Sequence, residues 1–99
     1  MRVIALRTLR QFWQRAGCGD AETPLLAWHR EALRASWQTP AELKAQYRGA
    51  SILKNNRAVF NIAGNKYRLV VRIRYDRRIV FIRFVGTHKA YDAIDAETA

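Results

Sequence analysis

Between Lys66 and Tyr75 the chain alternates without a break. Tyr67, Leu69, Val71, Ile73 and Tyr75 share one parity, and Lys66, Arg68, Val70, Arg72 and Arg74 share the other. Successive side chains of an extended strand point to opposite faces, so period two sorts these residues onto the two sides of a sheet. One side is apolar and needs a cover; the other displays arginines. Such a strand also needs neighbours to satisfy its backbone. Residues 58–62 form a second β-type run, joined to the first by a Gly64-Asn65 hairpin signal. Asp76-Arg77-Arg78 forms a tight turn into residues 79–85, which are apolar on both parities except at Arg83, the pattern of a central strand.

The first half of the chain follows a different period. Residues 3–6 are a short apolar run suited to an edge strand. Thr8 then offers an N-cap for Leu9, Phe12 and Trp13 at helical spacing. Gly17-Cys18-Gly19-Asp20 breaks that helix. Asp20 or Thr23 is placed to cap a second one, with Leu25, Leu26, His29, Ala32, Leu33 and Ser36 as its apolar face. Thr39-Pro40-Ala41-Glu42 is a capping-box pattern opening a third helix that ends near Tyr47, followed by a loop at residues 48–51. Residues 91–94 read as a last helical turn and the small acidic tail after them as frayed. The expected class is α+β: N-terminal helices packed on one face of a small antiparallel sheet, within a single domain spanning residues 1–99.

Charge narrows the function. The chain carries a net charge of +10, and from Lys54 to Lys89 ten Lys or Arg residues face a single acid, Asp76. Cations fixed on a sheet favour a polyanionic partner. Arg outnumbers Lys fourteen to four. That ratio suits phosphate oxygens but equally reflects a coding bias toward Arg. A single cysteine, Cys18, rules out an internal disulfide and fits a reducing compartment, so a cytoplasmic location is expected. No apolar run approaches a membrane span of about 20 residues, and no spacing of ligands suggests a metal site. Trp13, Trp28 and Trp37 all lie in the helical half and read as core or partner-facing residues.

Two constellations point to chemistry. Arg68, Arg72 and Arg74 lie on one strand face, where residues two apart are about 6.6 Å from each other, close to the spacing of successive phosphates. Arg57 and Arg83 on neighbouring strands broaden that patch, although a half-exposed sheet also needs polar residues on its wet side. Just beyond the last strand come His88, Lys89 and Tyr91. RNA cleavage by its own 2′-hydroxyl needs a base, an acid and cations on the phosphorane, and these residue types supply all three. Taken singly, His88 also fits a surface loop and Tyr91 a packing position. His29 reads as core. Two readings therefore stand beside cleavage. One is a module that holds RNA or the ribosome without cutting, and the other is a basic surface that exists to be covered by an acidic protein.

The blocks Asn61-Ile62-Ala63-Gly64-Asn65-Lys66-Tyr67-Arg68 and Gly86-Thr87-His88-Lys89-Ala90-Tyr91-Asp92 resemble the HigB-type mRNA interferases, toxins of the RelE superfamily. Leu26-Ala27-Trp28 and Trp37-Gln38-Thr39-Pro40 extend the resemblance over nearly the whole chain. It implies a RelE-like fold with a curved antiparallel sheet and a toxin that cleaves mRNA on the translating ribosome. It also implies no cofactor, and a helix-turn-helix antitoxin of the HigA type encoded in the same operon. By the same resemblance Arg68 binds the scissile phosphate, His88 lies near the leaving group and Tyr91 matches the C-terminal tyrosine. Lys54 and Arg57 fall in the region of further basic residues. With Arg72, Arg74, Arg83 and Lys89 they make up the expected RNA-binding set.

Overall fold

The computed structural model describes all 99 residues. Its elements are β1 (Arg2–Ile4), α1 (Leu6–Trp13), α2 (Glu22–Arg34), α3 (Pro40–Gln46), β2 (Ser51–Ile52), β3 (Arg57–Ile62), β4 (Tyr67–Arg74), β5 (Ile79–Thr87) and α4 (His88–Asp92). The strands form one open sheet in the order β1-β5-β4-β3-β2. The alternating segment is thus the middle strand, and β5 is internal, as its two apolar parities require. From β2 to β5 all pairings are antiparallel. β1 does occupy an edge, but it runs parallel to β5, pairing Arg2 with Ile79 and Ile4 with Phe81. The sheet is therefore mixed rather than purely antiparallel. A parallel neighbour needs a long crossover, and the three helices between β1 and the remaining strands provide it.

One face of the sheet packs under α1, α2 and α3. Phe60 sits at the centre, with the Trp28, Trp37 and Tyr47 rings at centroid distances of 5.3, 6.2 and 5.0 Å. Tyr67, Leu69, Val71 and Ile73 are fully buried there, as their shared parity predicts. α3 starts as its sequence requires: the Glu42 amide donates to the Thr39 hydroxyl, Pro40 opens the helix, and the Glu42 carboxylate accepts from the Gln38 amide.

Other helix starts differ from expectation. α1 begins at Leu6 after an extended Ala5, which leaves Thr8 inside the first turn. α2 grows out of a 3-10 turn at Gly19–Ala21 with no side-chain cap. Asp20 turns instead toward the β3–β4 hairpin, where Lys66 and the Tyr67 hydroxyl donate to its carboxylate. The buried stripe of α2 is Leu25, Trp28 and Ala32, while His29 is half-buried and Leu33 is 48% exposed. Trp28 takes the inward position because a large ring fills the space against Phe60, and His29 and Leu33, about 100° and 140° further round, are turned more toward solvent. The short edge strand β2 lies where a loop was expected.

The hairpin turn also differs in detail. Its left-handed residues are Ala63 and Gly64, at φ 55° and 76°, so Asn65 is not one of the pair. A second departure lies in the pairing of β4 with β5. Val70 faces Phe84 and Val71 faces Ile82, so Arg83 is the extra residue of a β-bulge.

The largest difference concerns the second face of the sheet. Val59 and Val70 are fully buried there beneath Ala96, with Leu53, Phe84, Tyr91 and Ile94 packed around them. Asn55 donates to the Glu97 carbonyl and Arg57 to that of Ala99, at 3.2 and 2.9 Å. The tail is therefore folded against the sheet and not frayed. Two adjacent valines on a nominally wet face need an apolar cover, and the C-terminal segment supplies it.

Candidate active site

The outer sheet face is lined by Arg57, Val59 and Asn61 on β3 and by Arg68, Val70, Arg72 and Arg74 on β4. The buried Val59–Val70 pair divides its cations into two groups. At one end Arg68 stands opposite Asn61 and Gly86. At the other, Arg57 and Arg72 face one another across the strands. Arg68 and Arg72 are four residues apart, or about 13 Å. The arginines thus do not form the continuous row that parity alone suggested.

His88 and Tyr91 both join the Arg68 end, and they do so on a helix, not in a loop. The Ala90 amide donates to the Thr87 hydroxyl at 3.1 Å, which caps α4 and starts it at His88. Residues three apart on a helix share a face, so His88 and Tyr91 look the same way. The Arg68 Nε donates to His88 Nε2 at 3.1 Å. The Arg68 guanidinium carbon lies 5.2 Å from the Tyr91 ring centroid, a cation–π distance. Gly86 makes the close approach possible. A Cβ there would come within 2.6 Å of the Phe84 ring and 3.4 Å of Ala90.

A residue not anticipated from the sequence completes the cluster. The Asn65 side-chain oxygen lies 3.0 Å from His88 Nε2. Its spacing in a hairpin turn concealed it, since Asn is an ordinary turn residue. Lys66, next to it, and Tyr67 tie the hairpin to Asp20. These hydrogen bonds, from Lys66 foremost and then from Tyr67, hold the Asp20 carboxyl below its usual range.

The other expected residues lie elsewhere. Lys89 is exposed on α4, one residue round from His88. Lys54 is exposed in the turn before β3, at the Arg57–Arg72 end. Arg74 is held by Asp76 through a forked pair of hydrogen bonds at 3.3 and 3.2 Å, at the far end of β4. Arg83, on the bulge, lies 5.9 Å from the Phe81 ring centroid and lines a groove with Arg15, Thr8 and Gln11 of the N-terminal segment. Among His, Cys, Asp and Glu side chains, no three come together as a metal-binding group.

The family model of the HigB toxins, described as the RelE-like toxic component of a toxin–antitoxin system, matches residues 21–94. The chain belongs to the HigB family of RelE-like toxins. The matched span runs from the start of α2 through α4 and so contains Asn65, Arg68, His88 and Tyr91. The chain is similar to the mRNA interferase toxin HigB of Escherichia coli K12, at 31% identity over 77 residues, or 76% of this chain and 74% of that protein. It is equally similar to the mRNA interferase HigB of Shigella flexneri, at 31% identity over the same shares of both chains. As a family member it is the toxin half of a toxin–antitoxin pair.

Proposed function

We propose that this toxin, acting as one domain over residues 1–99, is an endoribonuclease that cleaves mRNA by 2′-hydroxyl attack. The contact of Arg68 with both His88 and Tyr91 carries this reading. The O2′–P bond forms as the P–O5′ bond breaks, which leaves a 2′,3′-cyclic phosphate and a 5′-hydroxyl. The 2′-oxygen loses a proton and the 5′-oxygen gains one. Arg68, charged at any physiological pH, holds the phosphate and the charge that builds on it. His88 gives the proton to the 5′-oxygen, and Tyr91, whose ring lies beside Arg68, takes the proton that the 2′-hydroxyl loses. Lys54, Arg72 and Lys89 hold flanking phosphates, while the Arg57 guanidinium is taken up by the Asn55 and Ala99 backbone oxygens. The relatives named mRNA interferase support this substrate. The setting is the cytoplasm and the translating ribosome, and the neutralising partner is a helix-turn-helix antitoxin of the HigA type from the same operon.

Expression in a bacterial host with primer extension on cellular mRNA tests the proposal. Wild type should arrest growth and create new 5′ ends. Arg68→Ala and His88→Ala should each lower cleavage by about 100-fold or more. Intact transcripts with all three proteins would overturn it. If His88→Gln and Tyr91→Phe stay toxic while the double change Arg72→Ala, Arg74→Ala does not, the protein is an RNA-holding module that does not cut.

A further inference from the structure

His88 Nε2 has two neighbours that make opposite demands on it. The Arg68 Nε–H is only a donor, so its 3.1 Å contact requires a bare nitrogen lone pair. The Asn65 Oδ1 is only an acceptor, so its 3.0 Å contact requires a proton on the same nitrogen. One ring nitrogen cannot satisfy both at once. Both lie within hydrogen-bond distance in the structure, so which of the two Nε2 uses depends on whether it carries a proton. When Nε2 is bare, it accepts from Arg68. When Nε2 carries a proton, it donates to Asn65 and the Arg68 hydrogen bond is lost.

We infer that Asn65 is a positioning residue for the cleavage reaction, the acceptor that holds the protonated His88 imidazole beside the scissile phosphate. The inference rests on the cleavage proposal above for its consequence, though not for its geometry. A substrate phosphate draws the Arg68 guanidinium onto its own oxygens, which frees Nε2 to take up a proton. Asn65 holds the protonated ring in place until the departing 5′-oxygen displaces Oδ1 as the acceptor of that N–H. The proton moves from Nε2 to O5′ as the P–O5′ bond breaks, and Nε2 returns to its bare form. The hairpin is suited to this task. Ile62 and Tyr67 pair at its base, and Lys66 and Tyr67 are tied to Asp20. The Asn65 side chain is thus carried on a fixed turn, while its own exposure makes it replaceable without loss of packing.

The test compares Asn65→Ala and Asn65→Asp with wild type in single-turnover cleavage across pH, together with the ¹⁵N spectrum of the imidazole rings. Asn65→Ala should slow cleavage about tenfold and shift the alkaline limb of the profile down by about one pH unit, the worth of one charge-assisted hydrogen bond. Asn65→Asp keeps an acceptor oxygen, so it should retain cleavage and shift that limb upward. The ¹⁵N spectra need no catalysis: the His88 Nε2 resonance should move in both variants, because its hydrogen-bond acceptor is lost in one and replaced by a carboxylate in the other. Melting temperatures within a few degrees of wild type confirm that each variant is folded. Wild-type profiles and spectra in both variants, with Arg68→Ala and His88→Ala inactive, would overturn the role of Asn65 alone. Shifted spectra with Arg68→Ala and His88→Ala still cleaving would overturn the cleavage proposal and leave the Asn65–His88 contact standing.

Discussion

Asp20 illustrates how a residue's sequence neighbours can point to the wrong partner. Locally it is a good helix cap, yet Lys66 and Tyr67 capture its carboxylate from the other end of the chain. No reading of residues 17–24 contains that information, because the competing donors arrive only when the sheet folds. The capture has a pH signature. Hydrogen bonds from Lys66 and Tyr67 lower the Asp20 carboxyl in the folded state, so the stability it adds is present above the ordinary carboxylate value near 3.9. That stability is lost as pH falls through the lowered folded value. Denaturant midpoints measured from about pH 5 to pH 2 should fall less steeply for Asp20→Asn than for wild type. Parallel curves would show that the pair contributes nothing. Arg68 is the opposite case. Its strand parity was legible, and so was the proximity of His88 and Tyr91 in sequence. The direct contact was not, since it depends on Gly86 leaving room under α4.

Among the elements, α4 and the segment after it had the weakest sequence signal and the largest effect on the site. Thr87 is an ordinary N-cap, but a five-residue helix has little period to recognise. Of the two valines that the tail covers, only Val70 was placed on the arginine parity of β4 by the sequence, and its pairing with Val59 is set by the β3–β4 register. What could not be read is which segment would cover them. Ala96 is only 8% exposed in that contact. Asn at this position would bury an amide without a partner, so Ala96→Asn should destabilise the protein by about 1–3 kcal/mol in chemical denaturation. Stability equal to wild type would mean that the segment does not pack there. The bulge at Arg83 belongs to the same scale. One extra residue in β5 re-aims a side chain that had been expected to broaden the arginine patch of β4.

For the whole molecule, the +10 charge set the class of partner, and the fold decided how much of it one site can use. Arg74 is occupied by Asp76, and Arg83 turns toward the α1 groove. On the cleavage proposal, the cations left to meet one RNA strand are few: Arg68 and Lys89 at the site, with Arg72 and Lys54 at the other end of the face. About four phosphate contacts to a single strand give a slope of log K against log salt of roughly −3. A slope beyond about −6 would require the N-terminal arginines to contact the RNA as well. Arg68→Ala should reduce the magnitude of the slope by about 0.7. The alternating period of β4, the two-sided apolar run of β5, the Thr39 cap and the mostly helical first half all follow from short stretches of sequence. Backbone geometry and local hydrogen bonds act over a few residues, so those features are written locally. The parallel docking of β1, the folded tail, the split of the arginines and the meeting of Asn65, Arg68, His88 and Tyr91 are decided only by the tertiary structure. Each joins residues whose contact depends on how distant apolar surfaces are buried together.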